Sequence, residues 1–252
     1  MRHLKTIISL PPGAIPSPMI HGLLRTIFEQ YQWFRPERYG FAALDGRLDP
    51  TRIDYDALLA QYEELSSITI AARTDRDFLL LSVPRPGVPP HVGKINWMAS
   101  EKAASKPGWR ASHLRQVIEI MRMMRSPLAQ AGDDDDFERK KWRWVRDDIS
   151  KKLTFTVRDP SEGLPGLLWR NFFGPPFVDL FGERLATLPA EFKQELGDGI
   201  VLVQPYELPT QAGTPEGLAR ERQLIEHLGP ECFYDHEHHR KPTRLPKLPS
   251  PG

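Results

Sequence analysis

The chain has 252 residues, 40% of them hydrophobic and 10% aromatic, which is ample for one large core or two packed halves and excludes a disordered body. Its 34 Lys and Arg against 33 Asp and Glu leave a formal charge of +1, so no global field draws it to nucleic acid or to an anionic membrane. The single cysteine, Cys232, forbids an intramolecular disulfide and fits a reducing, cytoplasmic setting.

The opening MRHLKTIISLPPG has too few consecutive apolar residues before Pro11 for a secretory leader or a membrane span. A first helix is expected after Pro16-Ser17-Pro18, with Ser17 as cap, Pro18 in the first turn, and Leu23, Leu24, Ile27, Phe28 and Tyr31 on one face. Asp54 opens a second helix, in which Tyr55, Leu58, Leu59, Tyr62 and Leu65 recur at three and four residues. SITIAART then alternates Ile68, Ile70 and Ala72 with polar neighbours, and DFLLLSV follows after a short polar break, so the pair reads as a hairpin. The Pro-rich PRPGVPP suits neither a helix nor a central strand. GKINWMA, with Ile95 and Trp97 on one side, reads as a third strand. Ser112 suits the cap of a helix whose stripe is Leu114, Val117, Ile118, Met121 and Met124, stopping before Ser126-Pro127.

The second half opens with GDDDDFERKKWRWVRDD, where Asp133, Asp134, Asp135, Asp136 and Glu138 lie beside Arg139, Lys140, Lys141, Arg143 and Arg146. Runs of like charge repel into water, so the stretch reads as a solvated connection between halves. It lacks the glycine-punctuated spacing of a calcium loop. Trp142 and Trp144 among bases could stack on single-stranded nucleic acid, but two rings one position apart equally suit a strand showing both to one face. The second reading carries the greater weight, and direct nucleic-acid binding is not expected. KLTFTVR, alternating Leu153, Phe155 and Val157, is a strand, and GIVLVQ is another.

Between them lies GLLWRNFFGPPFVDLFG. Trp169, Phe172, Phe173, Phe177 and Phe181 cannot all face water on a soluble monomer, so the segment is expected to be mainly core. Gly174 is expected to allow a tight bend that Pro175-Pro176 pins, before a brief helical turn ended by Gly182. The last helix has Thr214 as cap, Pro215 in its first turn, Leu218, Ile225 and Leu228 inward, and Gly229-Pro230 as its stop. From His236 the chain reads as a basic, Pro-rich tail. The elements imply an α+β fold, a mainly antiparallel sheet covered by helices, compatible with two similar packed halves.

No catalytic constellation emerges. The sequence has no GxxxxGK[ST], no GxGxxG after a strand, no GxSxG and no HExxH, so an enzyme is the minority reading. Its best form is a metal-dependent enzyme using Cys232, His236, His238 and His239. All four are competent zinc ligands, but they crowd on one short segment, where side chains rarely enclose a metal unaided. Neither a metal nor another cofactor is expected.

In the second half a strand precedes LLWRNFFGPPFVDLFG, then LPAEFKQELGDGIVLVQPYELPT and the Thr214-capped helix. Trp169, Asn171, Phe172, Gly174, Gly199 and Pro209 mark the order. This order resembles the immunity protein 52 family and related immunity proteins of bacterial polymorphic and type VI toxin systems. The likeness spans approximately 160 to 228, and PRPGVPP and the His-rich tail depart from it. It implies one immunity-like α+β domain over 1–235 with a tail over 236–252. It also implies a cytoplasmic protein that binds and neutralises a cognate toxin, a nuclease of restriction-endonuclease-like fold, with no catalytic residues to carry over. Because a nuclease presents basic residues where phosphates bind, Asp133 to Asp136 and Glu138 are the expected contact residues. Trp169, Phe172, Phe173, Gly174 and Phe177 are the expected structural motif.

Overall fold

Short apolar alternations and well-punctuated helices build both halves of the chain. The computed structural model describes residues 3–13, 15–83, 92–146 and 151–249, and PRPGVPP lies outside them. The fold is α+β, in two units: Met1–Ser126 with Pro249–Gly252, and Pro127–Leu248. The boundary at Ser126–Pro127 therefore falls inside the stretch expected as a single domain.

The first unit begins with β1 (His3–Ser9) and α1 (Ser17–Arg25), which continues into a π-helical turn over Thr26–Tyr31. Next come β2 (Arg38–Gly40), β3 (Gly46–Arg47), α2 (Tyr55–Leu65), the hairpin β4 (Ser67–Ala71) and β5 (Phe78–Ser82), and β6 (Lys94–Ser100). The short α3 (Glu101–Ala104) and the long α4 (Trp109–Met124) complete it. Its strands run antiparallel in the order β1-β6-β5-β4-β2-β3. The first strand hides in a basic opening because Leu4, Thr6 and Ile8 alternate inward between His3, Lys5 and Ile7.

Two helix starts differ from expectation. Pro16 holds the extended backbone before α1 and Ser17 lies within its first turn. In α4, Gly108 is left-handed at the cap (φ 73°), so the helix begins earlier than Ser112 would have it. The buried face of α4 is accordingly His113, Gln116, Val117, Ile120, Met121 and Met124, without Leu114 or Ile118. Its polar members are bonded: His113 Nε2 lies 2.9 Å from Thr6 Oγ1, and Trp33 Nε1 donates to Gln116 Oε1 over 2.9 Å. Trp33 in turn stacks flat on Trp97 with centroids 3.8 Å apart. Asp54 does cap α2, accepting from the Ala57 amide over 3.0 Å.

The second unit runs β7 (Leu128–Asp133), α5 (Asp134–Lys141), β8 (Trp142–Arg146), β9 (Lys151–Phe155), β10 (Arg170–Phe173), α6 (Pro175–Phe181) and α7 (Glu183–Ala186). It ends with β11 (Lys193–Glu195), β12 (Val201–Val203) and α8 (Pro215–Leu228). Strands order antiparallel as β11-β12-β10-β7, while β8 and β9 pair as a ribbon of their own. Thr214 caps α8 by accepting from the Gly217 amide over 3.1 Å. That helix turns Leu224 and Leu228 inward, with Ile225 only partly buried beside them.

Two expectations about the second unit change. Leu153 and Phe155, read as the inward side of a strand, are 44% and 37% exposed; among the described residues β9 pairs with β8 alone, so the strand is not part of a larger sheet whose packed face would bury them. The segment from His236, read as a free tail, folds along the second unit. The amides of Thr243 and Arg244 donate to the Glu231 carbonyl, Lys241 pairs with Glu162 at 2.6 Å, and Asp235 bridges Arg240.

Candidate functional site

The aromatic motif is core throughout. Trp169, Phe172, Phe173, Phe177 and Phe181 are at most 1% exposed. Along β10, Phe173 lies opposite Leu128 on one side and Val201 on the other, and its ring meets Phe177 at 5.8 Å and Phe181 at 5.0 Å. Trp169 Nε1 donates to the Glu207 carbonyl over 2.9 Å, and the Arg170 guanidinium lies 4.2 Å above the indole. Gly174 has ordinary extended backbone (φ −79°), so the bend owes nothing to glycine's freedom there. The proline pair supplies it by opening α6 at once.

Asn171 is the buried polar latch of this segment, and only its place in a hydrophobic strand hints at the role. Its Nδ2 donates to the carbonyls of Leu168 (2.8 Å) and Val203 (3.1 Å), while its Oδ1 accepts from the Leu168 amide and from Gln130 Nε2, both at 2.9 Å. Every hydrogen-bonding position of the amide is used, which fixes the turn leading into β10.

The acidic run is dispersed by its helix. Asp133 caps α5, accepting from the Asp135 amide over 3.1 Å, and is buried; Asp136 is buried one turn further on. Asp135 and Glu138 are exposed and Asp134 half-buried, so the expected contact residues do not form one surface patch. Asp136 instead serves a buried ionic centre. Lys140 Nζ lies 2.9 Å from both Asp136 Oδ2 and Glu221 Oε2 and also donates to the Leu167 carbonyl; Arg139 pairs with Asp136 from outside. Glu221 Oε1 accepts the Leu167 amide over 3.1 Å. Burial, reinforced by the Asp136 and Glu221 carboxylates, pushes the nearby Tyr206 phenol well up. Gly166 (φ 155°) must pass close by: a Cβ there would sit 3.0 Å from Glu221 Oε1 and 3.2 Å from Lys140 Cδ. The centre ties α5, α8 and the 166–168 turn together.

Directly after α5 the β8–β9 ribbon carries an aromatic face. Trp142 pairs opposite Phe155 and Trp144 opposite Leu153, so all four side chains share one side. Trp142 lies against Phe155 with centroids 3.9 Å apart, and Lys141 Nζ sits 5.4 Å from the Phe155 ring centre. Trp144 is 67% exposed. Thr156 pins the ribbon's root, its hydroxyl donating to the Lys140 carbonyl over 2.7 Å and its amide to that of Lys141 over 2.9 Å.

The Cys/His group does not assemble into a ligand set. Cys232 is fully buried among Leu164, Phe181, Leu228 and Phe233, and burial, aided by the Glu231 charge, pushes its thiol up to about 11. His236 Nε2 contacts the Pro165 carbonyl at 2.6 Å, and His238 Nδ1 contacts Asp235 Oδ2 at 2.9 Å. Hydrogen bonds from the His238 amide and ring hold the Asp235 carboxyl below its usual range. Among the described residues no three of His, Cys, Asp or Glu come together to hold a metal ion. These histidines line a cleft of about 780 Å³ with Glu221, Tyr234, Arg240 and Lys241, where cationic and anionic side chains alternate and cancel.

Among the described residues no helix is long and apolar enough to cross a membrane. No protein-family model matches the sequence, and no curated protein matches it. Among solved structures the chain is similar to the Pseudomonas aeruginosa T6SS protein PA0821. The two superpose with a TM-score of 0.62 at 12% identity, over 90% of this chain and 72% of that one. At that identity the likeness is one of fold alone.

Proposed function

We propose that this chain is an immunity protein that binds and neutralises a cognate toxin, a nuclease, by occluding it without catalysis. The observation that carries the reading is the fold it has in common with a T6SS protein over 90% of its length. The order of Trp169, Asn171, Phe172, Gly174, Gly199 and Pro209, which resembles immunity proteins of such systems, points the same way. An inhibitor needs a preorganised surface and no reaction chemistry of its own. The groups that could do chemistry are occupied in this way: Cys232 is in the core, Lys140 lies between two carboxylates, and His236 and His238 hold the C-terminal segment.

Co-expression tests the reading. Production of the polypeptide encoded by the adjacent gene should arrest a bacterial host, and simultaneous production of this chain should restore growth. Continued arrest while this chain accumulates in soluble form would count against it.

A further inference from the structure

We propose that the β8–β9 ribbon is the surface by which this chain docks its target, seating Trp144 in an apolar recess on an acidic face of the partner. The inference rests on the toxin-neutralising reading and names the surface that reading needs. Of the six tryptophans, all within the described residues, Trp144 alone is exposed, at 67%, while Trp33, Trp97 and Trp169 are at most 9% exposed. The strand register places Leu153 directly opposite it and the Trp142–Phe155 pair beside it, giving an apolar stripe rather than one stray ring. An isolated two-stranded ribbon is marginal in water, and this one shows its apolar face outward. Its root is fixed by Thr156, and Trp142 is held against Phe155, so little ordering remains to oppose binding. Tryptophan is enriched among the residues that anchor protein interfaces.

Charge selects the occupant. The strands WRWVR and KKLTF carry Arg143, Arg146, Lys151 and Lys152 and no carboxylate. With its flanks, residues 141–158 hold six Lys and Arg against two Asp, in a chain otherwise almost balanced. An acidic face therefore speeds encounter and fixes orientation. The carboxylate cluster with which metal-dependent phosphoryl-transfer enzymes hold their ions is such a face. A second copy of this chain would bring two basic ribbons together and is disfavoured. Single-stranded nucleic acid fits less well, because the protein grooves that bind it offer several free aromatic faces in succession. Here Trp142 and Phe155 occupy each other, leaving one.

The test uses the full chain and two probes, the purified product of the adjacent gene and a 20-nucleotide oligothymidine, titrated by calorimetry. Trp144→Ala should weaken binding of the protein probe about 30-fold or more. Lys151→Glu with Lys152→Glu should weaken it about tenfold or more, and more strongly at low salt. Asp135→Lys, an exposed position of α5, should leave it within about twofold. Melting temperatures of Trp144→Ala and of the double lysine variant should match the parent, since the altered side chains are exposed, while Asp135→Lys should melt slightly lower because it puts a cation in the first turn of α5. Full-strength binding by Trp144→Ala would overturn the surface and leave the toxin reading intact. Weakening by Asp135→Lys instead would move the contact to α5. Tight oligothymidine binding lost in Trp144→Ala would replace the protein partner with nucleic acid. A parent chain that binds neither probe would overturn both this surface and the toxin reading.

Discussion

Phe173→Ala should lower the stability of the protein by about 3–5 kcal/mol, the cost of lost burial plus the cavity left in a core that cannot fully collapse. Phe173 has no exposed surface, sits in the middle strand of β12-β10-β7, and touches two further rings, Phe177 and Phe181. Its neighbours cannot fill the gap, because the sheet register holds Leu128 and Val201 in place on either side. The measurement is the midpoint of urea unfolding for the second unit, followed by a probe in that unit. A large drop is expected with little change of slope, and an unchanged midpoint would mean that the motif is not the core. Trp169→Ala should fall in the same range and additionally removes the hydrogen bond to the Glu207 carbonyl.

Lys140→Met should be nearly as damaging, at about 3–5 kcal/mol, for an electrostatic reason. It leaves Glu221 buried without the cation 2.9 Å away, while Asp136 keeps the half-exposed Arg139 and the Tyr206 hydroxyl, which donates to it over 3.4 Å. The diagnostic comparison is a double variant. Lys140→Met with Glu221→Met removes the stranded charge along with its partner and should recover a substantial part of the loss, so the two effects are strongly non-additive. Simple additivity of the two single losses would show that the residues act through packing alone. The direction does not follow from exposure: a surface pair would be worth about 1 kcal/mol or less, and the effect here arises because all three groups are at most 7% exposed.

The features legible in the sequence are those whose physics is local. Asp54 and Thr214 announce their helices because a cap needs only an oxygen and an amide two or three residues on. The Gly-Pro-Pro start of α6 and its end at Gly182 are equally local. Ser17 and Ser112 mislead because the same residue type is tolerated inside a first turn, and the backbone at Pro16 and Gly108 decides where the helix begins. The four aspartates look like a solvated run, yet acids in the first turn of α5 and Arg139, Lys140 and Lys141 in its last complement the helix dipole, a signal readable from the sequence. What could not be read is the burial of Asp136 and Lys140, since that depends on Glu221 in a distant helix. The ribbon shows the same limit. Alternation in KLTFTVR establishes a strand, but which side meets another element depends on topology, and here Leu153 and Phe155 meet water.

The central claim, that this chain stops a toxin by occupying it, is tested most directly by titrating the chain into the nuclease activity of the adjacent gene's product at a fixed product concentration well above the dissociation constant. Occlusion predicts activity falling linearly to zero at one equivalent and returning when the complex is dissociated. Nuclease activity that persists at several equivalents, or that is abolished irreversibly by a small fraction of one equivalent, as an enzyme would achieve, would contradict it.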